Sequence, residues 1–210
     1  MASAIPSLNV SIGRYTEHMY PALPNHLTWA RIVAIPIFIG IFYLPDDWLG
    51  AQQKNLLSTV LFVGAALTDL LDGYIARRYQ LTTPFGAFLD PVADKLIVAA
   101  ALILLVELDR VGAVIAVIII GREITISALR EWMAKVGGSR SVAVSMIGKV
   151  KTAAQMTAIP MLLYHEPLFG IDVQALGTWL IYLAAVLTLW SMVYYLRRAQ
   201  PAAPGHGDDG

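Results

Sequence analysis

Thr68–Lys95 reads TDLLDGYIARRYQLTTPFGAFLDPVADK, and it sets four aspartates, Asp69, Asp72, Asp90 and Asp94, in segments that are otherwise apolar. Ionisable groups in such surroundings cost several kcal/mol and mark a functional site by default. Asp69, Asp72, Gly73 and Ala76 fall at i, i+3, i+4 and i+7, one stripe of a helix. Gly86, Asp90 and Asp94 fall at i, i+4 and i+8, a stripe on the next helix. Between them Thr82-Thr83-Pro84 reads as a break, with Thr83 as N-cap and Pro84 as first helical residue. Two adjacent helices would therefore aim four carboxylates at one spot. Such a group stays ionised together only where cations hold it, and hard oxygen ligands favour Mg²⁺, Mn²⁺ or Ca²⁺ over zinc. The alternative is a purely structural ion-pair network. Gly73, Ala76 and Gly86 share the same faces and leave room for a helix backbone or a ligand.

Composition points to a membrane bundle. Of 210 residues 57% are hydrophobic and 14% charged, more long apolar runs than a soluble domain of this size needs. There is no cysteine, which excludes a disulfide framework and a thiolate metal site. Residues 1–22 form an N-terminal extension, read either as a short interfacial helix or as a flexible end, without the apolar core of a cleavable signal. Residues 23–198 are expected to form one six-helix transmembrane domain, and 199–210 a disordered tail.

The six expected spans run from Leu27 to Leu44, Leu56 to Arg78, Pro84 to Leu108, Val111 to about Glu131, Ile147 to Tyr164 and Val173 to Leu196. Pro91 should bend the third beside Asp90. An even number of spans puts both termini on one side. Arg14, Arg77, Arg78, Lys135, Arg140, Lys149, Lys151, Arg197 and Arg198 fall on that side. The opposite loops carry Asp46, Asp47, Glu107, Asp109, Glu166 and Asp172, with Lys54 and Arg110 as their cations. The positive-inside rule then makes both ends cytoplasmic and places the aspartates in the cytoplasmic half.

Asp69, Asp72, Gly73, Ala76, Arg77, Gly86, Asp90 and Asp94 reproduce, at every position, the DxxDGxxAR(8x)GxxxDxxxD signature of the CDP-alcohol phosphotransferases. The resemblance extends through NHLTWAR (Asn25–Arg31), GREITISALREWMA (Gly121–Ala134) and GKVKTAAQM (Gly148–Met156), a pattern similar to the bacterial phosphatidylglycerophosphate synthases. It implies an all-α integral membrane enzyme that moves a phosphatidyl group from CDP-diacylglycerol to glycerol 3-phosphate and releases CMP. Two Mg²⁺ or Mn²⁺ ions are implied as cofactors, held by Asp69, Asp72 and Asp90, with Asp94 partly a ligand and partly the general base. Asp69, Gly73, Ala76, Arg77, Gly86, Asn25 and Thr28 would take the CDP moiety. The resemblance further implies a homodimer in the bacterial cytoplasmic membrane, among membrane lipids, with its active site facing the cytoplasm and no nucleic-acid partner.

A negative acceptor needs a second basic site. Arg122 and Arg130, eight residues apart, share a helix face. Lys149 and Lys151, two apart, point to different sides, so one of them is expected to reach the pocket. Arg31 joins these as a candidate for the acceptor phosphate. Each could instead be a solvated membrane-surface charge, and Asn25, Thr28 and Arg31 could be caps and a snorkelling anchor. Glu123 and Glu131 read as ion-pair partners of the neighbouring arginines. The alternatives are the same chemistry with phosphatidylglycerol, inositol phosphate or serine as acceptor, and a divalent-cation transporter, since intramembrane aspartates also mark ion pathways.

Overall fold

The computed structural model describes the backbone over residues 23–79, 84–135 and 146–199, and side chains over 28–71, 86, 88–129, 131–132 and 148–193. The extension 1–22, the break at Thr82-Thr83 and the tail from residue 200 lie outside the described residues. Within them are six α-helices and no strand: α1 (Leu23–Gly40), α2 (Ala51–Tyr79), α3 (Pro84–Glu107), α4 (Ala113–Lys135), α5 (Met146–Tyr164) and α6 (Val173–Ala199), with a 3-10 turn at Ile41–Tyr43 after α1. The expected spans correspond to these helices one for one. The largest difference at a start is in α2, which begins five residues before Leu56. There the Gly50 amide donates to the Gln53 side chain at 3.1 Å, half of a capping box, and lets the polar stretch QQKN open the helix. Pro36, Pro91 and Pro160 all lie inside continuous helices.

The chain packs as two compact units, Met1–Ala101 and Leu102–Gly210. In the first, α1 lies on α2 and on the 3-10 turn. Its buried stripe is Thr28, Arg31 and Phe38, at helical spacing, and Ile41 of the 3-10 turn continues it. Phe38 meets Phe62 of α2 with ring centroids 6.4 Å apart and planes tilted by 46°. The stripe α2 buries is largely polar, namely Lys54, Asn55 and Ser58 with Phe62. Its exposed side carries Leu56, Leu57, Val60, Val63, Leu67, Leu70 and Leu71. That is the reverse of a helix packed for water, and it fits a hydrocarbon solvent.

In the second unit α6 packs against α5 and α4. Val173, Ile181, Ala184, Ala185, Thr188 and Ser191 form its buried stripe, whereas Trp179, Tyr182, Val186 and Trp190 face outward. Gly177 of α6 lies directly against α5: a Cβ there would stand 3.0 Å from both Leu162 Cγ and Met161 Cβ. Small residues at this crossing, with Ala158 and Ala184 fully buried, let the two backbones approach. A tight turn of Leu168–Ile171, with Phe169 and Gly170 both at positive φ, closes the connection, and Asp172 caps α6 by accepting from the Ala175 amide at 2.9 Å.

Hydroxyls on these helices return their hydrogens to the backbone one turn earlier. Thr59, Thr68, Thr125, Ser127, Thr152 and Thr178 each donate to the carbonyl four residues before, at 2.7–3.0 Å. No solvent is then needed to satisfy them. Ala51–Leu71 and Val173–Val193, of 21 residues each, are long and apolar enough to cross a membrane. At 1.5 Å per residue each spans about 31 Å, close to the hydrocarbon thickness. These helices point to a membrane protein.

Candidate active site

The first unit gathers three segments of the signature region. Arg31 of α1 is buried and pairs through Nη1 with Asp69 Oδ1 of α2 at 2.8 Å. One turn before it, the fully buried Thr28 donates its hydroxyl to Asp90 Oδ1 of α3. Residues 28 and 31 are three apart and so share a face of α1, which lets one helix hold a carboxylate from each of the two that follow it. Asp94, one turn beyond Asp90 on the same stripe, is half-buried, and Gly86, one turn before it, is buried. Asp72, Gly73, Ala76 and Arg77 lie on α2, but their side chains, like that of Asn25 on α1, are outside the described residues.

Asp69, Asp90 and Asp94 offer carboxylate oxygens alone, a donor set that fits a hard divalent cation rather than zinc. Asp69 already takes a positive partner in Arg31. Among the described residues no three acidic or imidazole side chains converge as a metal site, and Asp72 is not one of those residues.

The second unit holds a separate polar cluster on α4, α5 and α6. Arg122 donates through Nη1 to Glu123 Oε1 at 3.0 Å and through Nη2 to Ser191 Oγ at 3.4 Å. Lys151 of α5 donates its ammonium to the same Glu123 oxygen. Ser191 in turn donates to the Thr188 carbonyl at 2.9 Å. Arg122, Lys151, Gln155, Thr188 and Ser191 are all buried. Two cations thus meet on one carboxylate oxygen. The cluster joins the middle of α4 to the first turns of α5 and the last third of α6.

Of the expected basic residues, Arg122 and Lys151 enter this cluster, while Lys149 is exposed and Arg130 lies outside the described side chains. Arg31, expected at the acceptor phosphate, pairs with Asp69. Glu123 pairs with Arg122 as anticipated, but its bridge to Lys151 was not foreseen. Nor were Thr188 and Ser191, whose spacing of three within an apolar run is the signal for a polar face on a buried helix.

Two further cations are consumed as helix caps. Lys54 donates to the Leu44 carbonyl at 2.6 Å and to Asp46 at 2.7 Å. Arg110 donates through Nη1 to the carbonyls of Leu162 and Leu163 near the end of α5, at 3.1 and 2.8 Å. Beside it His165 is held below its ordinary pKa, first by burial and then by the Arg110 charge, against the opposing pull of Glu166 and Asp172.

A family model for the CDP-alcohol phosphatidyltransferases matches residues 21–190, and the chain belongs to that family. Among its relatives are proteins named CDP-diacylglycerol–glycerol-3-phosphate 3-phosphatidyltransferase. Those from Salmonella paratyphi A and Escherichia coli are 49% identical and that from Pectobacterium atrosepticum 50%, in each case over 180 residues that cover 85% of this chain and 94% of the relative. Membership favours transfer chemistry over the cation-transporter alternative.

Proposed function

We propose that this chain transfers the phosphatidyl group of CDP-diacylglycerol to sn-glycerol 3-phosphate, giving phosphatidylglycerol phosphate and CMP. The observation that carries the reading is the complete signature from Asp69 to Asp94, borne by a chain about half identical to enzymes named for that reaction. Mg²⁺ or Mn²⁺, held by Asp69, Asp72, Asp90 and Asp94, would supply neutralisation of the pyrophosphate charge. Gly73, Ala76 and Gly86 would admit the CDP moiety close to the helix backbones, with Arg77 pairing with a phosphate oxygen and Asn25 and Thr28 alongside. Asp94 would take the proton from the acceptor hydroxyl while that oxygen bonds to the phosphatidyl phosphorus. The bond from phosphorus to the CMP oxygen breaks, and CMP leaves with the electron pair. Arg122 and Lys151, with Arg130 and Lys149, would hold the acceptor phosphate. Arg31 would serve by orienting Asp69.

In this reading all six helices cross the bacterial cytoplasmic membrane as one catalytic domain over 23–198, with both termini and the site on the cytoplasmic side and a second copy as partner. The excess of lysine and arginine at the ends assigned to the cytoplasm, against Lys54 and Arg110 on the opposite loops, supports that orientation.

Asp90→Asn tests the site directly. Asparagine keeps the shape and can still accept the Thr28 hydrogen bond, so the variant should fold and release no CMP. Undiminished CMP release from folded Asp90→Asn protein would refute the assignment.

A further inference from the structure

We infer that Glu123 is a positioning residue for the acceptor phosphate, the carboxylate that sets Arg122 and Lys151 in the arrangement that recognises a phosphomonoester; this rests on the acceptor reading above. Adjacent residues on a helix point in different directions, so Glu123 and Arg122 do not face each other by default. The arginine nevertheless reaches back to Glu123 Oε1 with Nη1, while its Nη2 extends to Ser191 on α6. The same Glu123 oxygen receives the Lys151 ammonium from α5. One carboxylate on α4 thereby sets the direction of a planar guanidinium and of an ammonium on a flexible four-carbon stem. Both cations are buried among apolar helices, where two like charges repel strongly unless an anion lies between them.

The sign of the effect separates positioning from simple charge balance. If Glu123 only offset positive charge, removing it would make the surroundings of Arg122 and Lys151 more positive, and a phosphate dianion would bind more tightly. If Glu123 positions the cations, removing it lets Lys151 and Arg122 move apart, and the phosphate loses donors that were aimed in advance.

The experiment is steady-state CMP release by the full-length protein in detergent, varying glycerol 3-phosphate at saturating CDP-diacylglycerol and then the reverse, with wild type, Glu123→Gln and Glu123→Asp. Glu123→Gln should raise KM for glycerol 3-phosphate roughly tenfold or more, the range of a lost charge-assisted contact, and leave KM for CDP-diacylglycerol within about twofold. Glu123→Asp, which keeps the charge on a shorter stem, should fall between the two. If Glu123→Gln does not fold, the aspartate variant decides by the same split. An unchanged or lowered KM for glycerol 3-phosphate, or an equal change for both substrates, overturns the inference. Absence of glycerol 3-phosphate-dependent release from the wild type would instead sink the acceptor reading itself.

Discussion

Replacing Arg31 by methionine probes the link between the first helix and the signature. The side chain keeps an unbranched apolar stem and loses its charged end, and Asp69 loses the guanidinium 2.8 Å away. Breaking a fully buried pair costs about 3–5 kcal/mol because the remaining charge is stranded. Here the Asp69 side chain is 34% exposed, so solvent recovers part of that, and about 1–3 kcal/mol is expected. At roughly 2–4 °C per kcal/mol for a chain of this size, the midpoint of thermal unfolding should fall by about 2–12 °C in EDTA. Excess Mg²⁺ should shrink the difference, since a cation bound to Asp69 supplies the positive charge that Arg31 no longer does. The assay is thermal unfolding of detergent-solubilised wild type and Arg31→Met, each in EDTA and in Mg²⁺. A midpoint unchanged in EDTA would refute the role of the pair. A loss of equal size in both conditions would refute the claim that Asp69 also holds metal.

Gly177→Ala should destabilise by about 1–3 kcal/mol, as overpacking does, because the new methyl would press on Leu162 and Met161 at the α5–α6 crossing; thermal unfolding that matches wild type would contradict it. Because burial holds His165 below its ordinary pKa, the unfolded chain binds the proton more readily than the folded one. Stability should therefore be highest above the ordinary histidine value of about 6.5 and decline as pH falls below it. His165→Gln should flatten that decline, and a pH profile identical to wild type would show that the histidine does not contribute.

The helices were legible because each is a long apolar run with polar or proline-marked ends, and the signature was legible because its aspartates interrupt such runs at helical spacing. Which partner each carboxylate takes was not. Thr28 and Arg31 read either as substrate-site residues or as a cap and an anchor, and only the packing of α1 brings one to Asp90 and the other to Asp69. Likewise Arg122 and Lys151 are 29 residues apart in sequence, and nothing in their spacing reveals that Glu123 joins them. Lys54 and Arg110 illustrate the same limit. Sequence places them as exceptions to a charge rule, whereas the fold turns each into a cap on a helix end. Local pattern encodes helices; pairing between helices depends on crossings that a single chain's periodicity does not fix.

The central claim is tested most directly by CMP release from CDP-diacylglycerol by the purified protein with Mg²⁺, comparing glycerol 3-phosphate with phosphatidylglycerol, inositol phosphate and serine as acceptors. Release with glycerol 3-phosphate alone, abolished by EDTA, is the predicted result. Release with serine or phosphatidylglycerol would contradict the assignment of the Arg122–Lys151 cluster to an acceptor phosphomonoester, release with inositol phosphate would contradict glycerol 3-phosphate as the acceptor, and no release with any acceptor from folded protein would contradict the transferase account as a whole.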